Sequence, residues 1–490
     1  QTASFSVTPA SVQVTLSGAP PAALTWSGAT DGLWDVNTTA NWNAGAEKFF
    51  AMDAVTFADS PANLTVSING TVLPSSVAFT NETSAYVVRG GTGLIGGTTA
   101  LTKTGAGSVT LWNNGNTFTG GTTINGGTVI LNNGATLATG SYTPLGTGAI
   151  TLNTGGTLQL NPGAGGANAY TFANNFNLAG GTIFVDDGDN TLTGNLNVTA
   201  PSVLRTQYGG KDLFLTGTLQ GSAGLTIADA AGNYGVGSVY MAGDSSGYNG
   251  TVAISTGHLV AQTDNALRNA KLAVEAAASA DTLGFSLGGG ASNVTIAGLS
   301  GNSAGARVRN ADDTLRTLTV DSAADSIFAG AIGKGTIDTS APNQLNFVKA
   351  GSGSLTLAGP NSYIGTTTVS GGTLVVPSSN SSLDYTVANG AALGVKLSQE
   401  APSMIVNDVK LGTGGATSLN FQNFQGNTEY PALDTLNIVP DGTVTINVAG
   451  EFTTGTFPLI LTQTIGGDGW DSFVLGSLPV GIIAHLQNGG

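Results

Sequence analysis

Apolar side chains fall along this chain in short runs separated by Thr, Ser and Asn, and Gly or Asn closes each run. In residues 101–131, LTKTGAGSVTLWNNGNTFTGGTTINGGTVIL, the runs are Val109 and Leu111, then Thr123 and Ile124, then Val129, Ile130 and Leu131. Short β-branched runs set apart by turn residues predict strands of about five residues rather than helices. The pairs Gly120-Gly121 and Gly126-Gly127 are free to take positive φ, so the chain turns a corner there without a Cβ clash.

The pattern returns. Residues 349–376, KAGSGSLTLAGPNSYIGTTTVSGGTLVV, align with one residue fewer between Leu357 and Asn361. Lys349 falls on Lys103, Gly351 on Gly105, Gly353 on Gly107, Tyr363 on Phe118, and Gly371-Gly372-Thr373 on Gly126-Gly127-Thr128. Residues 241–262 form a weaker copy, with Tyr248, Gly250, Gly257 and Leu259 in the slots of Phe118, Gly120, Gly127 and Val129. A second module follows each copy, residues 144–160 and 266–285, with 381–395 a looser third; Leu145 matches Leu267, Ile150 matches Leu272, and Leu152 matches Val274. Such repetition predicts stacked rungs, each burying its apolar face on the next. At about 4.8 Å per rung, roughly 18 to 20 rungs would make a rod on the order of 90 Å.

The motif L-x-K-x-G-x-G-x-(L/V)-x-L, followed by N-(T/S)-(F/Y)-x-G-x-T-x-(I/V)-x-x-G-T-(L/V), resembles the autotransporter-associated β-strand repeat of bacterial surface proteins. That resemblance implies an all-β chain folded as a right-handed parallel β-helix, or β-solenoid, on the cell exterior. The chain start, QTASF, reads as a mature terminus after removal of a signal peptide, which the resemblance favours.

Four regions are expected. Residues 1–23 are an N-terminal amphipathic arm and Pro linker: Ala3, Phe5 and Val7, then Ala10, Val12, Val14 and Leu16, alternate with polar residues, which reads as a two-part strand broken at Pro9. Residues 24–100 are a cap and first rungs; Trp26, Trp34 and Trp42 would cover the bare end of the helix, or else form a sugar-stacking platform. Residues 101–406 are the repeat β-helix. Within it, 270–280 has helical composition, but the repeat alignment places Leu272 and Val274 in strand slots. Residues 407–490 are a C-terminal β-region with longer strands. There GTFPLI and LGSLPVGIIAHL resemble the family's closing segment, after which a further strand commonly follows, so the last sheet reads as one strand short.

Composition removes several functions. Acids outnumber bases 29 to 14, giving a net charge of −15 and a pI near 4.2. Binding to phosphate backbones needs clustered Lys and Arg, so nucleic acid is excluded as a partner and anionic membrane surfaces are disfavoured. No apolar run approaches the ~20 residues that would insert in a bilayer. Cysteine is absent and histidine occurs only at His258 and His485, too few ligands for a zinc or copper site. Parallel β-helices also host enzymes that cleave acidic polysaccharides, and Asp186-Asp187 and Gly257-His258 echo two elements of their active sites. The remaining elements are missing, and no nucleophile-elbow sequence accompanies either histidine. In the turn VDDGDN, Asp186, Asp187 and Asp189 offer hard oxygen ligands, a weak Ca²⁺ candidate beside the plainer reading of a solvated acidic turn. Asp312 and Asp313, near Arg307, Arg309 and Arg316, read as a surface ion-pair cluster.

With no active site and no cofactor in view, function is expected to lie in shape and ends. The leading expectation is a non-enzymatic, secreted structural subunit that binds copies of itself. The N-terminal arm would add as a strand to the C-terminal end of a neighbour, with Phe5, Val7, Val12, Val14 and Leu16 at the interface. The alternative is a monomeric surface adhesin or glycan-binding passenger, and a polysaccharide-degrading enzyme is the weaker third.

Overall fold

A computed structural model describes residues 2–17, 20–90, 93–112, 115–132, 143–161, 170–207, 211–229, 237–275, 284–333, 344–452 and 454–487. Among these the regular elements are strands, apart from single 3-10 turns at Asn43–Gly45 and Gly469–Ser472, and no helix is long and apolar enough to cross a membrane. The strands make a parallel β-solenoid of about 15 turns. Val109 pairs with Val129, Val129 with Leu158 and Leu158 with Ile183, so successive turns consume 20, 29 and 25 residues. Two compact units divide the chain, Gln1–Ser202 and Val203–Gly490, and the division falls inside the stretch read as continuous repeat.

In the first unit one sheet runs from Ala23–Thr25 to Leu196–Ala200 and another from Leu33–Trp34 to Thr182–Val185. Alternation sets the faces: in Ser108–Trp112, Val109 and Leu111 are sealed inside while Thr110 is half-buried. At the first rungs Trp26, Trp34, Trp42, Phe49 and Phe57 are all buried. Their rings meet edge to face, with centroids 5.1 Å apart for Trp26 and Trp42 and 5.6 Å apart for Trp34 and Trp42. Rings packed in this way offer no face on which a sugar could stack.

In the second unit an eight-stranded sheet runs from Asn293–Ile296 to Ile460–Ile465, and a seven-stranded one from Ser326–Phe328 to Phe473–Leu475. Lys271–Val274 is a strand, as the repeat alignment requires; residues 276–283 lie outside the described residues. Aligned repeat slots share their environment: Phe118, Tyr248 and Tyr363 are each fully buried.

The lysine shared by the two clear repeat copies has a structural task. Lys103 and Lys349 are both 0 % exposed. The Lys103 ammonium donates to the carbonyls of Gly105 and, at 3.4 Å, Asn81. That of Lys349 donates to Ala350 at 2.5 Å, Gly351 at 3.0 Å and Gly371 at 3.3 Å. Each therefore gathers carbonyls at a corner where the backbone leaves the sheet, satisfying acceptors that the parallel ladder cannot reach. Burial holds both amines below the ordinary lysine value.

Candidate assembly surface

The N-terminal arm is a hairpin. Strand β1 (Thr2–Thr8) pairs antiparallel with strand β2 (Ser11–Ser17), Phe5 opposite Val14 and Val7 opposite Val12. The sequence reading of one strand broken at Pro9 is corrected on this point. Pro9-Ala10 forms the turn, and the Ser11 amide donates to the Thr8 hydroxyl at 3.1 Å across it. The signal was present in the sequence: two alternating arms of equal length on either side of a Thr-Pro pair.

Directly opposed residues share a face, so the register puts Phe5, Val7, Val12 and Val14 together. The backbone of Leu16 pairs with Ala3 on the same parity, while the Leu16 side chain lies outside the described residues. The four described side chains are 76 %, 76 %, 74 % and 56 % exposed. The hairpin's sheet contains β1 and β2 alone. Asp31 is the first charged side chain in the chain, so neither hairpin edge carries a charge of the kind that usually guards an open strand. An amphipathic hairpin with an uncovered apolar face and two unguarded edges is suited to docking on another sheet.

The last rung of the second unit is the other surface with exposed core positions. Leu433, Ile438, Val444 and Ile446 are buried. One rung on, their partners Ile460, Ile465, Phe473 and Leu475 are only half-buried, because no described strand covers them. Phe473 lies 5.8 Å from the partly exposed Trp470. Beyond them Val480 and Ile483 are fully exposed.

The other candidates resolve into structural parts. Asp186 accepts from Gln159 at 2.9 Å and Asn161 at 2.7 Å, and Asp187 accepts the Gly188 amide at 2.9 Å. No group of three or more His, Asp or Glu among the described residues could hold a metal ion. His258 lies in the strand His258–Ala261, with Nδ1 2.9 Å from the Ser238 hydroxyl and Nε2 2.8 Å from that of Ser286. Both serines are buried, so no substrate reaches them. Burial, and then the Arg309 charge, pull the imidazole down to about 3. Of the expected surface ion-pair cluster, Asp312 is exposed and pairs with Arg316, but the arginine lies inside. It is 2 % exposed and grips the Asp312 carboxylate with both terminal nitrogens, while its Nε donates to Ala291 at 2.8 Å. The guanidinium holds the Asp312 carboxyl well below the usual range. Arg307 instead donates to the carbonyls of Ala304 and Ala306, both at 2.9 Å.

Residues 101–131 and 347–376 match the family described as passenger-associated-transport-repeat. Neither a curated protein nor a solved structure matches the chain. The repeat implies an exported, surface-displayed passenger, and with the fold it fits a structural or adhesin role. The chain is thus a parallel β-solenoid carrying the passenger-associated-transport-repeat twice, consistent with an autotransporter passenger-type repeat protein.

Proposed function

We propose that this protein is a structural subunit of an extracellular filament, joined head to tail when the N-terminal hairpin of one copy docks on the last rung of the next. The observation that carries the reading is the hairpin's apolar face, which has no partner in its own chain among the described residues. Two further features support it. The half-exposed Ile460, Ile465, Phe473 and Leu475 call for apolar side chains above them, and the open edge of Ile460–Ile465 offers backbone groups to a strand of similar length. A strand of the hairpin pairing on that edge would turn Phe5, Val7, Val12 and Val14 over the rung's interior. Strand addition of this kind draws affinity from backbone hydrogen bonds and specificity from alternate side chains. The contact joins two different surfaces, so it does not close and it propagates.

Removing residues 2–17, or placing Asp at both Phe5 and Val14, is expected to give monomers in sedimentation and to abolish filaments in electron micrographs. Both side chains are exposed, so circular dichroism should stay unchanged. Filaments of undiminished length from either variant would reject the mechanism.

A further inference from the structure

A shallow groove of about 980 Å³ opens on the outer face of the second unit's seven-stranded sheet, between Lys396, Gln422, Asn423, Gln425 and Glu451. A smaller hollow of about 300 Å³ shares the Gln422 wall and is lined by Asn420, Asn447 and Ser477.

An irregularity of the backbone underlies the groove. Phe421 pairs with Val448, but Phe424 pairs with Gly450, so Gln422 and Asn423 together oppose the single residue Ala449. This is a β-bulge in a parallel pair, where bulges are rare. Asn423 sits at φ 58°, a left-handed conformation that few residues with a Cβ accept, and its amide donates to the Leu397 carbonyl at 2.9 Å. Across from it Gly450 takes φ 150°, and a Cβ there would collide with the Phe424 backbone. Bulges and left-handed residues of this sort gather where a sheet is re-aimed for binding.

The groove's chemistry narrows its ligand. Amides dominate it. Asn447 Oδ1 accepts from the Ser477 amide at 2.7 Å and hydroxyl at 2.9 Å, and Asn447 Nδ2 donates to Asn420 Oδ1 at 2.7 Å. This ladder leaves the Asn420 NH₂ unspent, and the Gln422 amide makes no side-chain hydrogen bond among the described residues. One cation, Lys396, and one anion, Glu451, balance each other, which disfavours a polyanion, as does the chain's net charge of −15. The side chains facing the groove include no exposed large apolar group, which disfavours a lipid or an apolar peptide.

We propose that this groove binds a neutral, hydroxyl-rich carbohydrate chain. A sugar hydroxyl both donates and accepts, and a side-chain amide answers it with both functions. Alternate outward residues stand about 6.7 Å apart along a strand and about 4.8 Å apart across rungs, so the amides form a grid for successive hydroxyls. The proposal stands independently of filament assembly.

The test titrates the full chain by calorimetry with neutral hexasaccharides of glucose, xylose and N-acetylglucosamine, and with hexagalacturonate as the anionic control. At least one neutral hexasaccharide is expected to bind saturably, with Kd in the ~0.1–1 mM range. Gln422→Ala with Glu451→Ala should weaken that binding about tenfold or more, and salt should leave it unchanged. Both side chains are solvent-facing, and unaltered circular dichroism would show that the variant folds. The proposal is overturned if no neutral hexasaccharide binds, if binding survives the double substitution, or if only the galacturonate binds.

Discussion

His258 joins three rungs through a single ring. Its nitrogens reach Ser238 and Ser286, and Ser286 in turn accepts from Arg309 Nε at 3.1 Å. A neutral imidazole satisfies this chain with one donor and one acceptor, whereas protonation adds a charge beside Arg309. The folded value of about 3 lies below the ordinary 6.5. The unfolded chain therefore binds the extra proton first, and stability is lost as pH falls from 6.5 towards 3. Roughly 1–2 kcal/mol should be gone by pH 5. The urea midpoint of the native chain is expected to fall between pH 7 and 5, and His258→Gln should flatten that slope. An unchanged slope in the variant would assign the acid sensitivity elsewhere. Nothing in the sequence announced this arrangement, because Ser238, His258 and Ser286 meet only once the rungs are stacked.

At the scale of the element, the repeat is a corner design. Gly127 and Gly372 occupy matching slots at φ 66° and 62°. A Cβ on Gly127 would meet the carbonyl oxygens of Gly105 and Gly107 as well as the Lys103 ammonium; one on Gly372 would meet those of Gly351 and Gly353. The motif's spaced glycines and its lysine are thus one object: the glycines let two corners approach, and the lysine binds the carbonyls that the approach exposes. Gly127→Ala should cost about 2–3 kcal/mol from the left-handed strain and the collision together, read as a lower thermal midpoint. Alanine at Gly115, where a Cβ meets nothing, should leave the midpoint nearly unchanged. An equal loss at both positions would defeat the corner account. The strands and their inward faces were legible because alternation and the Gly-Gly corners are local signals, whereas the register of one rung on the next appears only with the rungs stacked. The hairpin was half read: the alternating face of Phe5, Val7, Val12 and Val14 follows from the pattern, while the Thr8-Pro9 break between two equal arms reads equally as an interruption of one strand or as the return of β2 onto β1. The pairing of Arg316 with the exposed Asp312 was legible from their spacing, but the burial of the Arg316 side chain was not, since charge spacing along a chain carries no information about depth.

At the scale of the whole molecule, charge and contact are separated along the sequence. The chain carries −15, yet no charged side chain precedes Asp31. Copies therefore repel at long range, while the hairpin proposed to join them is apolar and carries no charged side chain. Screening removes the first effect and spares the second. Raising NaCl to about 0.5 M, where the Debye length falls well below the ~10 Å of 0.1 M salt, should speed filament growth measured by light scattering. Sulfate at equal ionic strength should speed it further, because excluded salts strengthen apolar burial. Acidification towards the pI of about 4.2 would also discharge the chain, but it runs through the window in which His258 weakens the fold. Salt is therefore the cleaner lever. Filaments that disperse in 0.5 M NaCl would mean that ion pairs hold the joint, an outcome that the uncharged hairpin could not produce.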